Sequence, residues 1–359
     1  MNVLTVNAGS SSLKLSVLDA DDAVLATRES GTEDVGDEIA RLLDETGPVD
    51  AVGHRVVHGG AAHVGPERVT PDLVKDLAAL VPLAPLHQPS ALAGIRSVAG
   101  ALPDVPSVAC FDTAFHADLP AAAATYAVPA AWRQRFAVRR YGAHGLSHAY
   151  ASRRAAELVG DRASRVVVAH LGSGASLCAV HDGRSVDTTM GFTPMEGLVM
   201  ATRSGSVDPG LVLWLMTEAG LSADQVADGL DRSGGLQALA GTKDMAEVVD
   251  RAGRGDAAAV LALDVYLHRL VGLVAAMTAA LGGLDVLVFT GGVGERSPQV
   301  RRQTAQRLQH LGVQLDEGAN AEARPDVDVS APAAAVRTLV VAAREDLEIA
   351  RGTRTVLSG

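Results

Sequence analysis

Three glycine-rich segments and a few charged side chains are the places where this sequence could do chemistry. The segments are Asn7-Ala8-Gly9-Ser10-Ser11-Ser12, His170-Leu171-Gly172-Ser173-Gly174-Ala175-Ser176 and Thr290-Gly291-Gly292-Val293-Gly294-Glu295, each entered from an apolar run. Glycine in such turns lets backbone N–H groups approach a phosphate, and adjacent serine hydroxyls add donors. One such turn alone is more often an ordinary hairpin, but three at strand ends favour phosphate. The sequence has no GxxxxGK[ST] and no GxGxxG after a strand, so P-loop and Rossmann sites have little support.

Arginines supply the complementary charge. Arg55 stands among apolar neighbours in His54-Arg55-Val56-Val57-His58-Gly59-Gly60, where its charge needs an anion to meet it. Arg203 lies in Thr202-Arg203-Ser204-Gly205-Ser206, while Arg301, Arg302 and Arg307 read as surface residues, solvated or paired with carboxylates. His144, in Tyr141-Gly142-Ala143-His144-Gly145, is kept off a helix face by its glycines and by itself reads as structural. Asp112 and Glu345 each follow an apolar strand, the edge where open α/β sheets gather ligands. A helix N-terminal role competes for both. The sequence carries no HExxH, EF-hand or paired-cysteine spacing, which speaks against a dedicated metal cage. Mg²⁺ shared between phosphates and one or two carboxylates fits.

The elements that must position these residues repeat. Val3 to Val6, the first glycine turn and Leu13 to Leu18 read as strand–turn–strand, with Asp19 to Asp22 closing a hairpin. The design returns at Val166 to Val180, with Gly9-Ser10 opposite Gly172-Ser173 and a closing turn at Asp182-Gly183. This predicts a duplicated α/β chain whose second copy begins near Ala151. Further strands are expected at 49–57, 108–111 and 285–289, and helices at 70–80, 91–99, 147–159 and 257–281. Ser297-Pro298 should cap a helix running to His310, and Glu317 to Asp328 reads as a surface loop. Leu270 to Leu281 falls short of the ~20 residues that span a bilayer and reads as a buried helix.

Bulk composition narrows the partners. A chain of 359 residues exceeds one ordinary core, so two domains are expected. A net charge of -11 argues against nucleic acid and anionic membranes, which need basic surface. Cys110 and Cys178 fit no metal or redox spacing and read as reduced core residues of a cytoplasmic protein. Met1 to Val6 lacks a basic leader region and reads as a first strand.

Taken in order, Asn7 to Lys14, His54 to Gly60, Leu83 to His87, Phe111 to His116, Met190 to Pro194, Thr202 to Gly205 and Thr290 to Glu295 resemble the acetate kinase family. The resemblance implies two actin-like (ribonuclease H-like) α/β domains around a cleft: residues 1–150 joined by a final helix at 346–359, and residues 151–345 with the nucleotide site. It implies reversible transfer of the ATP γ-phosphoryl group to acetate with Mg²⁺ (or Mn²⁺), in a homodimer. Carried over, Arg55 and Arg203 would hold the carboxylate and the transferring phosphoryl group, and His144 would stabilise that group's equatorial oxygens. Asp112 and Glu345 would organise the metal, with Asn7 placed at phosphate and metal. Ser10, Ser12, Lys14, His170, Gly172, Ser173, Gly174, Asp244, Met245 and Gly291 to Glu295 would form the nucleotide and phosphate set. Val57, Leu86, Ala143 and Pro194 would wall the acyl pocket.

Five positions depart from the family pattern. Ala143 stands where the family usually has Phe, which should enlarge the acyl pocket and admit acids larger than acetate. Ser173, Ser206, Ala246 and Arg296 replace Asn, Asp, Arg and Asn and leave the phosphoryl donor open to GTP, another nucleotide or an inorganic donor. A propionate or butyrate kinase is therefore an alternative, and a non-catalytic actin-like nucleotide-binding module is one of another class.

Overall fold

The computed structural model describes residues 1–9, 13–31, 35–160 and 163–358. Ser10 and Ser12, expected at phosphate, lie outside the described residues. The chain divides into two units, one of Met1–Asp118, Ala127–Tyr150 and Arg344–Gly359, the other of Leu119–Tyr126 and Ala151–Ala343.

The first unit is built on β1 (Val3–Ala8), β2 (Leu13–Leu18), β3 (Val24–Ser30), β4 (Ala51–Val56), β5 (Glu67–Arg68) and β6 (Ser107–Phe111). Its sheet order is β3-β2-β1-β4-β6-β5. The first three strands are antiparallel, and β4 and β6 run parallel to β1. Three helices cover one face of this unit's fold: α1 (Val35–Thr46), α2 (Pro71–Ala79) and α3 (Gln88–Ala101). Their Ile39, Leu42, Leu77, Leu92, Ile95 and Val98 join Leu4, Val6, Val52 and Val56 in one apolar core. Pro71 at its first position and the Thr70 hydroxyl accepting from the Leu73 N–H start α2 at the expected place. Along the chain, short α4 (Ala121–Ala124), which belongs to the second unit, and α5 (Ala130–Phe136) follow, then α6 (Gly145–Val159), whose residues from Ala151 on belong to the second unit.

The second unit repeats the plan with β7 (Arg165–Leu171), β8 (Ala175–His181), β9 (Arg184–Thr188), β10 (Val286–Thr290), β11 (Val327–Asp328) and β12 (Arg337–Val340). Its order, β11-β12-β10-β7-β8-β9, is that of the first sheet read from the other edge. Strand for strand, including the antiparallel edge pair, the sheets are copies. This is the duplicated α/β architecture that the repeated glycine turns predict, in the ribonuclease H-like form that the family resemblance implies.

Its helices are α7 (Pro209–Thr217), α8 (Ala223–Asp231), α9 (Gly235–Ala240), α10 (Met245–Gly253), α11 (Ala257–Leu281), α12 (Gly291–Arg296), α13 (Pro298–Arg307) and α14 (Glu317–Ala321). The apolar stretch expected to be short is part of 25-residue α11, long and apolar enough to cross a membrane by length and composition alone. Its Ala259, Leu263, Tyr266, Leu270, Val274, Met277 and Leu281 form a buried stripe at three-to-four spacing, the pattern of a core helix. The expected loop over Glu317 to Asp328 instead holds α14 and β11, because Asp316 caps α14 through the Ala319 N–H.

The last helix, α15 (Glu345–Ser358), packs on the other face of the first sheet. Gly53 makes that approach possible: a Cβ there would overlap the Thr353 hydroxyl and the Ile349 side chain. Cys110 and Cys178 are free and buried, and burial pushes both thiols up to about 12.

Candidate active site

Strand β4 carries Arg55 to the edge where β1 and β6 also end. There the Arg55 Nε donates to both Asp112 oxygens at 3.1 Å, Nη2 donates to Oδ2 at 2.7 Å, and Nη1 donates to the Asn7 Oδ1 at 3.0 Å. The anion that the apolar context demanded is thus supplied from within the unit. Burial opposes the Arg55 charge, yet Asp112, with Glu345 beyond it, holds the guanidinium above its ordinary pKa. The His144 backbone N–H also bonds the Asp112 side chain. His144 sits at φ 56, in the left-handed region, and its carbonyl accepts from the His148 N–H at the start of α6. Such a conformation in a non-glycine residue is held by its surroundings: Gly145 donates to the Asp112 carbonyl at 2.9 Å and has no room for a Cβ. Asn7, Arg55, Asp112, His144 and Glu345 are therefore one cluster. Glu345 opens α15, the helix N-terminal position that competed for it.

Residues that sequence reasoning passed over hold the neighbouring Val57 to Gly60 turn. Gln88, fully buried, donates to the His58 carbonyl at 3.1 Å and accepts from the His58 N–H at 3.3 Å. Thr113 accepts from the Gly59 N–H at 3.1 Å. Of the expected acyl wall, Val57 and Ala143 are buried and Leu86 is half-buried in the first unit, while Pro194 belongs to the second. Lys14, the one exposed residue of β2, pairs in register with Asn7.

In the second unit, a cavity of about 600 Å³ gathers the expected nucleotide residues Gly172, Ser173, Asp244, Met245, Gly292 and Val293. Lys243, Ala246, Val249, Tyr266 and Arg296 line it too, so Ser173, Ala246 and Arg296, three of the departures from the family pattern, share one cavity. His170, Gly174, Gly291, Gly294 and Glu295 are not among its lining residues; Glu295 accepts from the Ala343 N–H at 3.0 Å. The third glycine segment is not a turn but the start of α12. Gly291 takes φ +76, and a Cβ on it would meet the Leu171 carbonyl at 2.8 Å. That close approach seats α12 against the second glycine turn.

Arg301 overturns its surface assignment. It is 1% exposed and donates to the carbonyls of Gly294, Glu295 and Asn320 and to the Asn320 Oδ1. Burial lowers it to about 10. Arg302 and Arg307 do pair with carboxylates, Glu317 and Asp264. Arg203 is also buried: its Nη1 donates to the Pro194 carbonyl at 2.6 Å, while Asp231 stands 3.7 Å from Nε. Burial lowers its pKa, with Asp231 pulling the other way. Among the described residues no group of three or more His, Cys, Asp or Glu could hold a metal.

Residues 25–351 match the acetokinase family. An acetate kinase from Deinococcus radiodurans is 48% identical over 339 residues, taking in 92% of this chain and 85% of that protein. Another from Leifsonia xyli is 46% identical, with 97% of each covered. Among solved structures, a propionate kinase from Francisella tularensis superposes with a TM-score of 0.92 at 34% identity, over 99% of both chains. Porphyromonas gingivalis acetate kinase superposes with a TM-score of 0.89 at 34% identity, again over 99% of both. The duplicated sheets, the Arg55 cluster and these likenesses agree: the chain belongs to the acetokinase family and is a carboxylate phosphotransferase.

Proposed function

We propose that this enzyme catalyses the reversible, Mg²⁺-dependent transfer of the ATP γ-phosphoryl group to acetate, giving acetyl phosphate and ADP. The observation that carries the reading is the Arg55–Asp112–Asn7–His144–Glu345 cluster at one sheet edge, half-buried around a fully buried Asp112. Acetate is already ionised at neutral pH, so no general base has to create the nucleophile. What needs management is the negative charge of two anions and a metaphosphate-like transition state. Arg55 and Arg203 would hold the carboxylate and the moving phosphoryl group, and His144 its equatorial oxygens. The donors fit Mg²⁺: the Asn7 Oδ1 and the Asp112 and Glu345 carboxylates are hard oxygens beside one guanidinium. Asn7 and Glu345 would hold the ion, with Asp112 organising them; when bound it supplies charge neutralisation. The cavity of about 600 Å³ suits a nucleoside better than bare pyrophosphate, since ligand pockets run from about 300 to 1,000 Å³.

A second reading, a preference for propionate or butyrate, rests on Ala143, which is small and buried where the acyl wall is expected. We assign the protein to the cytoplasm, where buried reduced thiols and nucleotide are at home. For a homodimer the support is α7 (Pro209–Thr217): it is free of polar side chains up to Met216 yet has no buried residue, with Leu213 64% and Trp214 55% exposed. Sedimentation of Leu213→Glu should show monomer if that face pairs. The chemistry is tested by trapping acyl phosphate as hydroxamate from acetate, propionate and butyrate against ATP, GTP and pyrophosphate. No product with any pair would overturn it.

A further inference from the structure

We propose that Tyr126 is a positioning residue for Arg203, acting through the loop Gly191 to Glu196; this deepens the phosphotransfer reading and rests on it. Tyr126 ends the excursion Leu119–Tyr126, which belongs to the second unit although the chain on either side belongs to the first. Its hydroxyl donates to the Glu196 carboxylate and accepts from the Phe192 N–H at 3.0 Å. One phenol oxygen therefore ties down both ends of the loop. Gly191 closes the knot: a Cβ there would overlap the Glu196 carboxylate and the Tyr126 hydroxyl together.

Between those fixed points lies Pro194, whose carbonyl accepts from the Arg203 Nη1 at 2.6 Å. Asp231, at 3.7 Å from Nε, is beyond hydrogen-bond reach. The short anchor of the Arg203 guanidinium is thus a backbone carbonyl whose place is set by Tyr126. A charged clamp shifted by about 1 Å costs on the order of 10²-fold in rate. Loss of the phenol oxygen should reach the acid side of the reaction and spare the donor side, because Tyr126, Phe192, Glu196 and Pro194 are not among the residues lining the cavity.

The test compares Tyr126→Phe and Gly191→Ala with wild type, varying acid and donor separately in the hydroxamate assay and following amide exchange at Phe192. We expect kcat/KM for the acid to fall about 10- to 10²-fold in both variants while the donor KM stays within about twofold. Exchange at Phe192 in Tyr126→Phe should rise about tenfold, the worth of one hydrogen bond. A donor KM rising together with the loss of acid kcat/KM, or acid kinetics unchanged, would overturn the inference. If wild type itself makes no acyl phosphate, the phosphotransfer reading fails, and unchanged exchange at Phe192 separately sinks the tether.

Discussion

Strands β4 and β10 hold the same place in their sheets and end in opposite chemistry. With Gly9 set against Gly172, the registers Val6↔His54, Ala169↔Phe289 and His170↔Thr290 put His54 opposite Phe289 and Arg55 opposite Thr290. The first unit delivers a half-buried cation there and meets it with a buried carboxylate, Asp112. The second unit turns through Gly291 straight into α12. Its own buried arginines, Arg203 and Arg301, are met at hydrogen-bond distance by neutral oxygens. The first cluster therefore carries its own counter-charge, Asp112 against Arg55, with the Glu345 carboxylate beyond it. In the second unit the carboxylate beside Arg203, Asp231, stands off at 3.7 Å, and Arg301 is enclosed by backbone and amide oxygens.

The largest expected effect follows from removing either of the two arginines proposed as clamps. Arg55→Ala and Arg203→Ala should each lower turnover by ~10³–10⁵, as loss of an arginine finger does. Their stabilities should part company. Arg55→Ala leaves the Asp112 carboxylate buried and unpaired by its cation, a cost of about 3–5 kcal/mol. Arg203→Ala frees a carbonyl and a half-buried Asp231, a cost nearer 1–3 kcal/mol, roughly. Urea midpoints of the two variants measure the difference; equal losses would break the contrast between the units.

Arg301→Met sharpens the same contrast from the donor side. It removes four hydrogen bonds to neutral oxygens, two of them on the Gly294 and Glu295 carbonyls of α12. Unsatisfied buried acceptors cost about 1–3 kcal/mol each, so a loss of at least ~3 kcal/mol is expected. In protein that remains folded, the donor KM should rise and the acid KM hold.

How much of this was legible in sequence depends on range. The duplication was, because apolar runs broken by Gly9-Ser10 and Gly172-Ser173 are local signals, and so was α11, whose bounds the sequence pattern matched at Ala257 and Leu281. Arg55's need for an anion could be read from its neighbours; that the anion is Asp112, 57 residues on, could not. Gly291-Gly292-Val293-Gly294 read as a turn because glycine is a poor helix former, and packing on Leu171 overrides that propensity. Arg301 looked like a surface residue because its acceptors lie on α12 and, 19 residues away, at Asn320. Tyr126 and Glu196, 70 residues apart, carry no local signal at all.

A smaller effect concerns acid stability. His54 is 1% exposed with neither ring nitrogen hydrogen-bonded, and burial lowers its pKa to about 3. The unfolded chain binds that proton near pH 6.5 and the folded chain does not, so stability falls as pH drops from 6.5 toward 3. At pH 5 the loss is about 2 kcal/mol. His116, lowered by burial to about 4, adds to it in the same direction. His54→Phe gives the first unit the residue that the second has at Phe289. Urea midpoints at pH 7 and pH 5 should then differ less than in wild type, and an unchanged difference would assign the acid sensitivity elsewhere.

Thr290→Val is the mildest probe and falls on the position opposite Arg55. The Thr290 hydroxyl is buried without a hydrogen-bond partner, so exchanging it for a methyl removes an unsatisfied group and should leave stability within about 0.5 kcal/mol or raise it. Turnover and donor KM should stay within about twofold if the end of β10 serves only to launch α12. A tenfold rise in donor KM at unchanged stability would mean that the hydroxyl meets the bound donor. The two strand ends would then both be chemical, one through a charge and the other through a neutral donor.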